Sequence, residues 1–559
     1  MNDISRILLS CFAACLLLGG GGGFTMSAQW ARVLTTSGDR MQSLEASSVR
    51  AYGDSTDDAI LLRPSDPCQE IDGFGYALTY SSCYNLLRMP EEARDELLTK
   101  TFSPTEGHGV SYVRISLGCN DFSSDEYSLC DCHDEGETDL LRHFSLHSDE
   151  TDYIIPVLKR IIAINPSLKI IAAPWTPPRW MKYHEERGES PDSEGTGDWT
   201  GGRLRPKYYG IYGEYFVRFI QTMADNGVRI HAVSPQNEPL NWGNSASLYM
   251  PYTDMADFVS QGLAPALKHA GLRTKIYIYD HNYDYDESKG LNQRHYPLLA
   301  YQRMGSGFDG EELVAGACYH DYGGRIDDIK EDVVWGDRQD KELIFSEASI
   351  GEWNDGRNLW SRLAYEMDEL VISTLLNRFK ASLVWNFMLD TNKSPYRPNG
   401  CSTCYGAIDL NASDPSDYTL NSHYYIMAHA SDAIKPGAKR VDTEGWWANN
   451  LSYAAFVNPD NTTAILLSNQ DDTDMDVKVH SNGNTYLMKV PRRGVVSARM
   501  DLKTPDVSAA LQTVCDSAGA ADNPLYDLSG RPVANPVTGE IYVTSSGGKV
   551  RYMAEPGDL

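Results

Sequence analysis

The chain has 559 residues, 42% of them hydrophobic and 23% charged, a globular composition too long for one core that predicts a large domain with smaller ones. Its 77 acidic residues against 49 basic ones give a formal charge of −28. That field repels phosphate backbones and anionic membrane surfaces, which excludes nucleic acid as a partner.

Residues 1–28 carry Arg6, the apolar runs Ile7-Leu8-Leu9 and Leu16-Leu17-Leu18, and a glycine run at 19–23. The pattern predicts a signal peptide cleaved near Ala28, too short and glycine-broken to span a membrane. Cys15, after Phe12-Ala13-Ala14, is the alternative, a lipidation site. The expected location is secreted, periplasmic or cell-surface, with no transmembrane segment. Nine further cysteines follow: Cys68, Cys83, Cys119, Cys130, Cys132, Cys318, Cys401, Cys404 and Cys515. Cys401-x-x-Cys404, in a loop with Gly400 and Gly406, fits a local disulfide or free thiols. Zinc shared with Cys130-x-Cys132 is disfavoured by the spacing of that pair.

Residues 29–69 read as short strands that join a β-sandwich formed at the other end of the chain. From residue 70, eight apolar strand-like segments alternate with helical ones: 70–78, 111–117, 169–174, 230–234, 275–279, 313–319, 342–345 and 381–387. Such runs suit a parallel sheet covered on both faces. Between them, 152–164 places Ile154, Ile155, Leu158, Ile161 and Ile162 on one helical face, 208–226 stops at Gly227, and 360–379 is amphipathic. No glycine-rich phosphate fingerprint follows the first strand. Eight alternations therefore predict an α/β fold, a (β/α)8 TIM barrel over 70–424. After Asp409 the helical period disappears. Alternating runs such as 452–457 and 463–468, separated by Asn-Pro, Asp-Asn and Asn-Gly turns, predict a β-sandwich over 425–503. The segment 504–559 reads as an Ala-, Ser- and Asp-rich linker and a β tail. Its Tyr526-Asp-Leu-Ser-Gly-Arg531 is similar to tail segments of secreted proteins and fits a sorting element or a small hairpin.

Two carboxylates stand at strand ends. Glu238, in Ser-Pro-Gln-Asn-Glu-Pro, follows the fourth strand, and Glu347, in Ile-Phe-Ser-Glu-Ala-Ser, the seventh. Side chains at the C-terminal strand ends of a barrel converge on one pocket. A carboxylate pair there has the equipment for glycoside hydrolysis. Either acid alone reads as a helix N-terminal residue or an ion-pair partner.

Several motifs in order carry a resemblance: Asp72-Gly-Phe-Gly75, Val113-Arg-Ile-Ser-Leu117 with Asp121-Phe122-Ser123, Ala173-Pro-Trp-Thr-Pro-Pro178, the runs 234–239 and 345–349, Asp280-His281-Asn282, Trp385-Asn386 and Ile434-Lys-Pro-Gly-Ala438. The chain resembles glycoside hydrolase family 30, the glucosylceramidase-like group. That resemblance implies Glu238 as general acid/base and Glu347 as nucleophile of a retaining reaction that uses no cofactor or metal. It implies that Asn237 bonds the sugar 2-hydroxyl and that Trp175, Trp385 and Asp121 hold the innermost sugar. Arg114, at a strand end, is expected to steady a catalytic carboxylate. His320 and Tyr322 end the sixth strand, where Tyr322 is placed to bond Glu347. The extensions Asn237-Glu-Pro-Leu-Asn-Trp-Gly-Asn244 and Ala348-Ser-Ile-Gly-Glu-Trp353 resemble the branch acting on β-1,6-linked glucans. The expected partner is therefore an oligo- or polysaccharide, a β-glucan, with glucosylceramide-like and xylan substrates as alternatives. Two departures fall beside the site: Asp321, where the group has an aromatic residue, and the Cys401 to Cys404 insertion. A noncatalytic carbohydrate-binding protein is the competing class, and it would ordinarily have lost a carboxylate. A lyase or aldolase would need a Schiff-base lysine or a metal cluster at the strand ends.

Overall fold

The computed structural model describes residues 29–504, except 133–137, 194–196, 245 and 285–293, together with four short strands between 525 and 551. The expected signal segment, Cys15 and Cys515 lie outside the described residues.

Eight strands close into a barrel: β1 (Gly73–Ala77), β2 (Tyr112–Ser116), β3 (Lys169–Ala173), β4 (Ala232–Val233), β5 (Lys275–Asn282), β6 (Val314–His320), β7 (Glu342–Glu347) and β8 (Phe379–Asn386). Every neighbouring pair is parallel, with β8 returning to β1. Tyr112, Ile171, Tyr277, Cys318, Ile344 and Leu383 pack together as an inner layer. Side chains two apart on a strand share a face, so Arg114, His320, Ser346 and Trp385 stand one step further toward the C-terminal rim. At the opposite rim Glu342 meets Lys275 at 2.7 Å and Lys380 at 2.9 Å, and Asp72 meets Lys169 at 2.8 Å. These ion pairs finish the barrel floor. Gly75 is required by packing: a Cβ there would sit 1.6 Å from the Tyr112 carbonyl oxygen.

The sandwich is one nine-stranded sheet to which both ends of the chain contribute. Its order is Glu45–Arg50, Trp30–Thr36, Gly494–Leu502, Thr463–Asn469, Leu451–Val457, Lys439–Gly445, Ala59–Glu70, Met475–Ser481, Asn484–Val490. Val33, Ile60, Val441, Ile465, Val477 and Val496 form its separate core.

One sequence expectation needs correction. The helical period does not end at Asp409: a helix, Ser422–Ala433, crosses the expected boundary at 424, and all twelve of its residues are buried. Period analysis finds a helix by its polar face, and this helix has none. It packs against both β1 of the barrel and the sandwich strand Gly494–Leu502. His429 bridges Thr36 and Ser497, at 2.9 Å each. Asp432 accepts two bonds from Arg32, at 3.0 and 3.1 Å. The tail strands form a four-stranded antiparallel sheet in the order Pro532–Val533, Leu525–Tyr526, Ile541–Thr544, Lys549–Arg551, larger than a single hairpin.

Burial alone would raise the Asp432 carboxyl, but His108 and the Arg32 guanidinium outweigh it and hold the group far below the usual carboxylate range. A depressed carboxylate contributes stability above its unfolded pKa, near 3.8, and loses that contribution as pH falls. Asp432→Asn, which takes the carboxylate away from Arg32, should lower unfolding stability by about 3 kcal/mol at pH 7. The difference from wild type should shrink below pH 3.8 in parallel thermal unfolding scans; an equal gap at both pH values would refute the pairing.

Candidate active site

The C-terminal rim of the barrel collects charge around one buried cation. Arg114, on β2, has no exposed surface. Its Nη1 donates to Glu347 Oε2 at 2.5 Å, and its Nη2 donates to Asn237 Oδ1 at 2.7 Å and to Asp280 Oδ2 at 2.8 Å. The guanidinium carbon lies 5.0 Å from the Trp175 ring and 5.4 Å from the Trp385 ring. One side chain thus ties together the ends of β2, β4, β5, β7 and β8 and the loop after β3.

His320, the last residue of β6, makes the second hub. Its Nε2 is 3.1 Å from Asp280 Oδ1, and its Nδ1 is 3.4 Å from Glu238 Oε1 and 3.9 Å from Glu347 Oε1. Both strand-end carboxylates therefore lie within 4 Å of a single imidazole nitrogen. Burial alone would lower His320, but the carboxylates of Glu347, Asp280 and Glu238 raise it to about 9. A second imidazole approaches the same carboxylate, with His281 Nδ1 3.8 Å from Glu238 Oε1.

The two carboxylates have different surroundings. Burial raises Glu347, and the charges of His320 and Arg114 only partly oppose it. Tyr322 donates its hydroxyl to Glu347 Oε1 at 2.9 Å. Burial would also raise Glu238, but the hydrogen bond with His320 and the charges of His281 and His320 outweigh it and hold the carboxyl at about 2. Asn241 Nδ2 donates to Glu238 Oε2 at 2.8 Å. In this geometry the proton of the Glu238–His320 pair rests on the imidazole. Glu238, His281 and His320 also bring ligand-type atoms within 4.8 Å of one another.

Three residues here adopt left-handed backbone. Glu238 has φ 45°, and Tyr279 and Asp280 have φ 74° and 61°. The ladder between β5 and β6 shifts register between Tyr279 and His281, a bulge that turns the Asp280 carboxylate toward Arg114 and His320. Each such residue costs about 1–3 kcal/mol and persists only where its surroundings hold it; Asp280 is held by its bonds to Arg114 and His320, and Glu238 by its bond to His320.

A pocket of about 300 Å³ opens above the network, lined by Asp121, Trp175, Asn237, Glu238, Tyr322, Glu347 and Trp385 among others. Seven of the nine residues expected from sequence thus share one cavity. Arg114 and His320 lie beneath it, bonded to its carboxylates. Because Asn237 Oδ1 is taken by Arg114, its Nδ2 is left to face the pocket. Asp121 is pushed up to about 7 by burial and by the charges of Glu347 and Glu238. Cys401 and Cys404 are joined by a disulfide and line the same pocket. The short strand Cys404–Tyr405 pairs with Ile350–Gly351 just past Glu347, which clips the loop after β8 to the loop after β7.

Asp280, Asn241 and Trp353 have no role assigned from sequence, although each falls inside a motif stretch. The available signals were the position of Asp280 at a strand end and the spacing of Asn241, three residues after Glu238.

The model of the glycosyl hydrolase family 30 TIM-barrel domain matches residues 71–429, and that of the family's beta sandwich domain matches residues 437–498. The endo-1,6-beta-D-glucanase neg1 of Aspergillus fumigatus is 25% identical over 439 residues, 77% of this chain and 84% of its own. Putative glucosylceramidase 4 of Caenorhabditis elegans is 27% identical over 470 residues, 80% of this chain and 84% of its own. The solved structure of the endo-beta1,6-glucanase BT3312 is similar with a TM-score of 0.77 and 44% identity, covering 84% of this chain and 99% of that one.

The network makes a spectroscopic prediction. The His320 imidazole should titrate near pH 9 by nitrogen NMR in the wild-type protein, and Asp280→Asn should move that titration downward. An unshifted value in the variant would mean that Asp280 does not hold the charge.

Proposed function

The chain belongs to glycosyl hydrolase family 30, and from that premise we propose that it is a retaining β-glycosidase acting on a β-1,6-linked glucan, with Glu347 as nucleophile and Glu238 as acid/base. The observation that carries this reading is the pair of unlike carboxylates around one imidazole nitrogen. In the first step the Glu347 carboxylate attacks the anomeric carbon while the bond to the leaving oxygen breaks and Glu238 protonates that oxygen. In the second, Glu238 takes a proton from water as the water displaces Glu347 from the sugar. Arg114 occupies Oε2 of Glu347, so Oε1, held by the Tyr322 hydroxyl, is the oxygen aimed at the sugar.

The acid needs its proton when the glycosidic bond breaks. A bound sugar expels water from the pocket, and desolvation penalises the ion pair of Glu238 and His320 relative to its neutral form. Transfer from Nδ1 of His320 to Oε1 of Glu238 then supplies the working acid. Trp175 and Trp385 offer aromatic faces to the sugar, Asp121 accepts from its hydroxyls, and Nδ2 of Asn237 donates to the 2-hydroxyl.

The β-1,6-glucan assignment is supported by the relatives named for that activity. Glucosylceramide is the second reading, favoured by the Caenorhabditis elegans relatives. Export of the mature chain rests on the pattern of residues 1–28. Among the described residues no helix is long and apolar enough to cross a membrane.

Product release from β-1,6-glucan, β-1,3-glucan, glucuronoxylan and an aryl β-glucoside tests the substrate; silence on β-1,6-glucan would overturn it. Glu347→Ala should abolish turnover on every active substrate. Glu238→Ala should cost about 10²–10⁴-fold on glycosides with poor leaving groups and far less on an activated aryl glycoside. The alkaline limb of kcat/KM should report the proton shared by Glu238 and His320, near pH 9. His320→Gln should move that limb to lower pH, because Glu238 then holds the proton alone.

A further inference from the structure

The Cys401–Cys404 disulfide forms part of the catalytic pocket wall. Its sequence separation is 3, and so short a loop removes little entropy from the unfolded chain. What distinguishes the bond is the pair of anchors on either side of it. Before it, Arg397 is held by the loop after β2: its amide donates to the Asp121 carbonyl oxygen at 3.1 Å, its Nε donates to the Asn120 carbonyl oxygen at 2.7 Å, and its Nη1 lies 3.0 Å from Glu126 Oε1. Gly400 presses on the same loop, since a Cβ there would come within 2.4 Å of the Asp121 carbonyl oxygen. After it, the Thr403 carbonyl oxygen accepts from the Glu352 amide at 3.0 Å, and Cys404 pairs with Gly351 in the loop after β7.

The disulfide therefore closes a belt across the rim. One end of the belt holds the loop of Asp121, and the other holds the loop of Ser349 and Trp353; all three residues line the pocket. The bridged Cα atoms are 5.7 Å apart, whereas an open three-residue step reaches about 10 Å. Breaking the bond gives the pocket wall slack on the scale of a sugar hydroxyl.

We propose that Cys401–Cys404 is a positioning element for the substrate: intact, it fixes the Asp121 side of the pocket against the Trp353 side, and a thiol that reduces it weakens sugar binding. The inference rests on the β-glycosidase reading above. Cys401 is half-buried and Cys404 buried, so an external thiolate meets the Cys401 sulfur first. Attack there forms a mixed disulfide and expels Cys404 as a thiolate, which takes up a proton. A second thiolate then attacks the external sulfur of the mixed disulfide, leaves as the external disulfide and releases Cys401 as a thiolate, which is protonated in turn. A sugar in the pocket covers the same wall, so substrate and thiol compete.

The test reduces the folded enzyme with a dithiol, follows Cys401 and Cys404 by alkylation and peptide mass mapping, and measures kcat and KM on a β-1,6-gluco-oligosaccharide before reduction, after it and after reoxidation. The Cys401→Ser/Cys404→Ser double variant is the second arm. Expected are a KM raised roughly tenfold with kcat within about threefold, the pattern of lost uniform binding, recovery of KM on reoxidation, and the same split in the double variant. In Glu347→Ala, which leaves the oligosaccharide uncut, saturating sugar should slow reduction of the disulfide severalfold. An unchanged KM with both cysteines reduced, a loss confined to kcat, or a reduction rate indifferent to sugar overturns the positioning role while the glycosidase reading stands. Where wild type prefers another β-glycan, the same KM shift on that glycan keeps the role and overturns the β-1,6 assignment; a wild type silent on every glycan overturns the glycosidase reading and this inference with it.

Discussion

A guanidinium removed from water costs several kcal/mol unless carboxylates meet it, and Arg114 is removed completely. Its two terminal nitrogens reach Glu347, Asp280 and Asn237, so the register of the strand ends carrying them follows from its position. The strained φ of Asp280 is tolerable because the carboxylate it delivers is one of those partners. Trp175 and Trp385 stack near the same charge, so the aromatic walls of the pocket and its electrostatics share one anchor.

The barrel was legible because its strands are apolar on both faces, and all eight appear within a few residues of their expected positions. Glu347 was legible because it ends such a strand, and Glu238 because it follows one closely. The helix Ser422–Ala433 was not, since a helix buried on every side shows no alternation of polar and apolar faces. Asp280 was half legible: its motif was visible, but its role depends on a bulge in β5, and bulges leave no mark in the hydrophobic pattern. Trp353 belongs to a loop, and loop side chains find their neighbours through tertiary contacts that spacing does not encode.

The buried helix also joins the barrel to the sandwich. It presents His429 and Asp432 to strands from opposite ends of the sequence, and a neutral histidine, pushed down to about 3 by burial, serves there as a hydrogen-bond bridge and not as a charge.

The shared sheet sets an order of events during synthesis. The strand Trp30–Thr36 emerges early, yet its partner Gly494–Leu502 comes more than 450 residues later. At about 5–20 residues per second the ribosome takes on the order of half a minute or more to supply it. Until then one edge of Trp30–Thr36 has no neighbour, and an unpaired apolar edge invites association with other chains. The sandwich is therefore a late product of the chain, completed only after every barrel strand has already been made.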